Sequence, residues 1–181
     1  MANQPKKYQK FVATAATATL VATAVVPAAS AADTTFSDIS SYATEVQEEV
    51  LFLADLGVIN GFEDGTFKPA QNITRGQAVK MIGRFLEAQG VEAPANWATE
   101  QSFSDIAVDR TDRDLVKYAA LVKEAGVFQG NGNVLNPSGF TTRENMALIL
   151  DRLIGQLTGK TAVELAEGLE NNVSDLANAK E

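Results

Sequence analysis

Apolar residues along this 181-residue chain fall into short helical stripes separated by turn-rich loops. Val46, Val50, Leu53 and Ala54 stand at i, i+4, i+7 and i+8, which is one face of an α-helix. Gly57 follows as an expected left-handed cap, and residues 58–73 form a loop marked by Asp64-Gly65 and Pro69. Thr74 predicts a helix start, with Gln77 three residues later completing a capping box. Ala78, Met81, Ile82 and Phe85 make the buried stripe of that helix, and Gly90 closes it. Leu115, Tyr118, Ala119 and Val122 then line a helix ended by Gly126, and Met146, Ile149, Leu150 and Leu153 line the next. A further helix is predicted over 161–171 from Val163, Leu165 and Leu169. Around Phe67 and Leu135 the alternation is too short to predict strands.

The second pair of helices repeats the first. Phe36-Ser37-Asp38-Ile39 recurs as Phe103-Ser104-Asp105-Ile106 at a spacing of 67. Gly57-Val58-Ile59-Asn60-Gly61 recurs as Gly126-Val127-Phe128-Gln129-Gly130 at 69. Ile73-Thr74-Arg75 recurs as Thr141-Thr142-Arg143, and Arg84 as Arg152, both at 68. This order assigns one copy to 36–89 and a second to 103–157, joined by a linker at 90–102 rich in Ala, Glu and Pro. A linker helix is expected over 158–172. Val173-Ser174-Asp175-Leu176 then opens a third copy, 173–181, which we expect to be truncated. One helix pair cannot bury both of its faces, so neighbouring copies must share a core. The expected class is mainly α, built from tandem helix-loop-helix repeats.

The N-terminus has a different character. Lys6, Lys7 and Lys10 precede an uncharged apolar run from Phe11 to Val26, then Pro27 and the small-x-small Ala29-Ser30-Ala31. This predicts a secretory signal over 1–31, cleaved after Ala31. Sixteen residues diluted with threonine fall short of the roughly 20 that cross a bilayer, so no membrane span is expected after its removal. The whole chain carries 15 Lys+Arg against 23 Asp+Glu, and residues 32–181 retain 12 basic residues, for a net charge of −11. That balance argues against a nucleic-acid partner. With no His and no Cys, the usual zinc sites, disulfides and histidine-dependent nucleophiles are excluded. An exported, cysteine-free, acidic chain held by core packing alone fits a bacterial surface protein.

With these motifs in one order in two copies, the chain resembles the S-layer homology (SLH) domain family of bacterial surface proteins. The carrying residues are Phe36–Ile39, Leu56–Gly61, Asp64–Pro69 and Ile73–Gln77 in the first copy. In the second they are Phe103–Ile106, Ala125–Gly130 and Thr141–Asn145. The resemblance implies three copies in a pseudo-threefold bundle with ligand grooves between neighbours. It implies a non-covalent, non-enzymatic cell-wall anchor without cofactor or metal, secreted to the cell surface as part of an S-layer or another attached protein. The implied ligand is a secondary cell-wall polysaccharide, a peptidoglycan-linked glycan often bearing acidic pyruvyl ketals.

An anionic sugar on an acidic protein needs a local cation. Arg75 and Arg143 stand in the first turn of their helices, where free N–H groups and the helix dipole favour an anion and a guanidinium adds forked bonds. Lys68 offers a second cation. Asp38 and Asp105 are candidate acceptors for sugar hydroxyls or, alternatively, turn and capping residues. Thr74 and Thr142 are candidate ligand contacts or, alternatively, helix caps. Phe67 and Trp97 are candidate stacking faces for a sugar or, alternatively, a core residue and a linker residue. Where the family pattern has Ala-Glu after the arginine, this chain has Gly76-Gln77 and Glu144-Asn145. The tryptophan that the pattern often places after the opening Asp is absent, Tyr42 being the nearest aromatic of the first copy. The second loop, Asn131–Pro137, lacks a counterpart of Lys68, so the second copy is expected to bind more weakly. Two rivals remain: a lattice module that self-associates without sugar, and a hydrolase using paired carboxylates. Glu63-Asp64-Gly65 lacks the spacing of a calcium loop.

Overall fold

The computed structural model describes residues 35–165 and 167. The predicted signal at 1–31 and the predicted third copy at 173–181 lie outside the described residues. Five helices run through the described chain: α1 (Thr44–Asp55), α2 (Arg75–Ala88), α3 (Arg113–Glu124), α4 (Arg143–Thr158) and the single turn α5 (Ala162–Leu165). The mainly helical expectation therefore holds. Extended pairing among the described residues amounts to two single bridges, Thr74–Phe140 and Asn131–Val134. The helix predicted over 161–171 is described only as α5, where Val163 is 81% exposed and not buried. Among the described residues no helix is long and apolar enough to cross a membrane.

The chain divides into two compact units whose boundary does not follow the sequence repeat. The first runs to Gln71 and adds Ala88–Gly90, and the second takes Asn72–Glu87 together with the chain from Val91 onward. Helix α2, which the sequence pattern gives to the first copy, thus packs with the second.

In the first unit, Phe36, Ile39, Val50, Ala54, Val58 and Ile59 are buried. α1 ends in a Schellman turn, with the Gly57 N–H donating to Ala54 O (2.8 Å) and the Val58 N–H to Leu53 O (3.0 Å). This turn folds Val58 and Ile59 back under the helix. Val46, expected on the buried face, is exposed.

The second unit holds the larger core. It joins Val79 and Leu86 of α2, nearly every side of α3, Ile149 and Leu153 of α4, and Phe103, Ile106, Val127 and Leu135 from the loops. Close approach of α2 to α3 depends on Gly83, since a Cβ there would lie 2.5 Å from Tyr118 Cβ. Beside that contact runs a ladder of opposite charges. Lys80 pairs with Asp112 (3.0 Å), Arg84 with Asp114 (2.7 Å), and Glu87 with Lys117. Glu87 also accepts the Tyr118 hydroxyl (2.8 Å). On α2 the fully buried ridge is Val79, Gly83 and Leu86, while the expected Met81, Ile82 and Phe85 are half-buried. On α4 the expected Leu150 is exposed, because no described residue covers that side of the helix.

Candidate functional site

In both copies the opening aspartate ties down the loop before the second helix. Asp38 accepts the N–H groups of Phe67 (2.8 Å) and Lys68 (2.7 Å). Asp105 accepts those of Leu135 (2.9 Å) and Asn136 (2.7 Å). The second residue of each pair is left-handed, Lys68 at φ 57° and Asn136 at φ 55°, a conformation that persists only when its surroundings impose it. The bond from the Phe67 N–H, with help from Lys68, holds the Asp38 carboxyl below the usual carboxylate range. These aspartates thus clamp loops about thirty residues away and cap no helix of their own. The recurrent Phe and Ile on either side are buried in both copies.

The two predicted helix starts form, with unlike surroundings. Thr74 and Gln77 make the reciprocal box: the Gln77 N–H donates to Thr74 Oγ1 (3.2 Å), and the Thr74 N–H to Gln77 Oε1 (2.9 Å). The Arg75 N–H donates to Gly139 O (2.8 Å) and the Gly76 N–H to Pro137 O (2.9 Å). The free N–H groups expected here for an anion are therefore taken by the second copy's loop, and the Arg75 side chain remains as the cation. Thr142 caps α4 by accepting the Asn145 N–H (3.2 Å), with Arg143 exposed beside it.

Lys68 is spent locally. Its Nζ lies 3.0 Å from Asp64 Oδ2 and 4.1 Å above the Phe62 ring. Hydrogen bonds from the Thr66 hydroxyl and from Lys68 pull the Asp64 carboxyl down to about 2. Asp38 and Lys68 belong to the first unit, and Thr74, Arg75, Asp105, Thr142 and Arg143 to the second.

What the second unit does build is a groove of about 660 Å³. One wall is the 128–136 loop, the other is the Asn145, Leu148, Ile149 and Arg152 face of α4, and Arg75 stands at its edge. Arg143 is not among its lining residues. Arg75 and Arg152 have no carboxylate partner among the described residues, whereas Arg84, the repeat counterpart of Arg152, is paired with Asp114. Amides of Gln129, Asn131, Asn136 and Asn145 alternate with apolar side chains, and among the described residues no carboxylate lines the groove. Guanidinium and amide groups side by side are hydrogen-bond donors, and a guanidinium can fork onto a carboxylate. In the sequence Arg152 is visible only as a repeat landmark and Asn145 only as a departure from the family pattern, and nothing there marks these amides as contacts. Among the described residues no set of three acidic side chains converges as metal ligands.

Residues 35–79 and 115–147 match the S-layer homology domain. The chain belongs to that family. It is 38% identical over 152 residues to the Surface-layer 125 kDa protein of Lysinibacillus sphaericus, covering 83% of this chain and 12% of that protein. It is 32% identical over 143 residues to the S-layer protein sap of Bacillus anthracis, covering 79% and 16%. It is also 33% identical over 131 residues to an uncharacterized cell wall amidase of Bacillus anthracis, covering 68% and 22%. The S-layer homology chain thus spans less than a quarter of each of these curated relatives. Its membership places it among the secreted proteins of the bacterial cell surface.

Proposed function

We propose that the chain anchors a surface protein to the cell wall without covalent attachment, by binding an anionic secondary cell-wall polysaccharide. Pyruvyl ketal carboxylates are the candidate acidic groups. The observation that carries this reading is the pair of arginines, Arg75 and Arg152, unpaired in one groove of a chain whose net charge is −8. Like charges sharing a groove are costly unless an anion lies between them. A lining without carboxylates or hydroxyl nucleophiles favours binding over hydrolysis. Asp38 and Asp105 shape the loops, Thr74 and Thr142 start the helices, and Lys68 steadies the first loop.

The test is retention of the purified chain by Gram-positive sacculi before and after the secondary polysaccharide is stripped with hydrofluoric acid. Retention should vanish on stripping and fall at least about tenfold in Arg75→Ala, the scale of losing a charge-assisted pair. Arg143→Ala should have a smaller effect. Equal retention by stripped sacculi sinks the reading.

A second reading, self-association without sugar, is favoured by exposed Phe140, Leu148, Leu150 and Leu157. It requires dimers or larger species in sedimentation runs without polysaccharide.

A further inference from the structure

Gly139 has no conformational reason to be glycine. It is not among the left-handed residues of the chain. Its N–H closes a turn onto Asn136 O (3.0 Å), and its carbonyl accepts the Arg75 N–H (2.8 Å); any residue can make both bonds. The first copy shows this directly. Its equivalent turn, closed by the Gln71 N–H onto Lys68 O (2.9 Å), carries glutamine at the same corner.

What the missing side chain does is leave room. A Cβ on Gly139 would lie 2.6 Å from Asn136 Nδ2 and 2.9 Å from Arg75 Nη1. Both nitrogens end rotatable side chains, so a methyl group would displace them without blocking the fold. Both side chains line the groove. Asn136 is further fixed by the Asp105 carboxylate on its N–H, at the position where the first copy has Lys68.

We propose that Gly139 is a positioning residue of the groove. It lets the Arg75 guanidinium and the Asn136 carboxamide lie side by side as one donor set, for a sugar carboxylate and an adjoining hydroxyl. This inference rests on the polysaccharide reading above.

The probe is the polymer released from Gram-positive sacculi by hydrofluoric acid, used intact and with its carboxylates reduced to alcohols. Wild type, Gly139→Ala, Arg75→Ala and the double variant are titrated in parallel, and thermal unfolding of each is followed. Gly139→Ala should bind the intact polymer about tenfold more weakly with its melting unchanged. It should add nothing in the Arg75→Ala background, whereas a merely structural defect would persist there. Reduced polymer should bind all four equally poorly. In NMR spectra of the unliganded protein, Gly139→Ala should move the Arg75 Nε–H and Asn136 Nδ2–H signals and leave that of Arg143 in place.

Wild-type binding by Gly139→Ala, an equal loss in both backgrounds, or unmoved side-chain signals each overturn the positioning role. If Arg75→Ala is weak while Gly139→Ala binds fully, only this inference falls. If wild type and Arg75→Ala bind alike, the polysaccharide reading falls and takes this inference with it.

Discussion

Phe36 and Phe103 open the same four-residue motif, yet they occupy different kinds of interior. Each ring lies beneath a left-handed glycine, Gly61 or Gly130, where a Cβ would crowd it. Phe103 is fully enclosed, within a core of sixteen buried residues. Phe36 is 7% exposed and leans on Phe67, with ring centroids 5.6 Å apart. The difference comes from α2, which belongs to the first copy in sequence but buries Val79 and Leu86 in the second unit. The first unit is left with one described helix of its own. Repetition in sequence therefore reproduces the local turn, and the neighbouring helix decides how much burial that turn receives.

The largest expected effect tests this inequality directly. Phe103→Ala should cost about 3–5 kcal/mol, since the deleted ring leaves a cavity that close packing cannot collapse. Phe36→Ala should cost clearly less, because part of its pocket already faces water. Urea unfolding of both variants measures the difference. Equal losses would mean that the two units unfold as one, and the comparison would fail.

The clamping aspartates offer a finer contrast. Asp105→Ala strips the acceptor from the Leu135 N–H, and Leu135 is buried, so about 1–3 kcal/mol should be lost. Asp38→Ala frees the N–H of Phe67, which is half-buried and can turn toward water, so the loss should be smaller. Amide exchange at Leu135 and Phe67 in the two variants reads each bond separately. Faster exchange at Phe67 than at Leu135, relative to wild type, would reverse the predicted order.

Much of the local structure was legible in the sequence. The Thr74–Gln77 box, the glycine-capped helix ends and the recurrent loops depend on residues a few positions apart, where periodicity and capping chemistry act. The partners of each face were harder to read. Nothing in a 3.6-residue stripe says that Val79 outranks Met81, because Gly83 and Tyr118 make that choice from two different helices. The loop-clamping bonds of the aspartates are hard to read for the same reason: the N–H donors lie about thirty residues away along the chain. One long-range signal was available. Lys80/Asp112, Arg84/Asp114 and Glu87/Lys117 are complementary pairs at spacings of 32, 30 and 30, a pattern that identifies α3 as the neighbour of α2. The groove combines both lessons, since Arg75 is visible as a motif while its setting depends on Gly139 and Asn136 in the next copy.

The smallest expected effect separates the two units by pH. In the first, Asp38 and Asp64 are held below their ordinary values, so their contribution is present above 3.8 and is lost at lower pH, for Asp64 as pH falls toward about 2. The second shares this acid limb. Burial opposes ionisation of Asp112 and Glu87, but Lys80 with the Leu115 N–H, and Lys117 with the Tyr118 hydroxyl, together bring both carboxyls down. Only the second has a described tyrosine that adds an alkaline limb. Burial, then the bond to Glu87, pushes the Tyr118 hydroxyl from 10.0 up to about 12. Because the neutral form is the one favoured in the fold, this contribution is intact below pH 10 and fades as pH rises toward 12. Tyr118→Phe should therefore flatten the fall in melting temperature between pH 10 and 12 and, by removing one of the bonds that lower Glu87, trim only that residue's share of the acid limb. If the alkaline fall survives the substitution unchanged, the tyrosine is not its source.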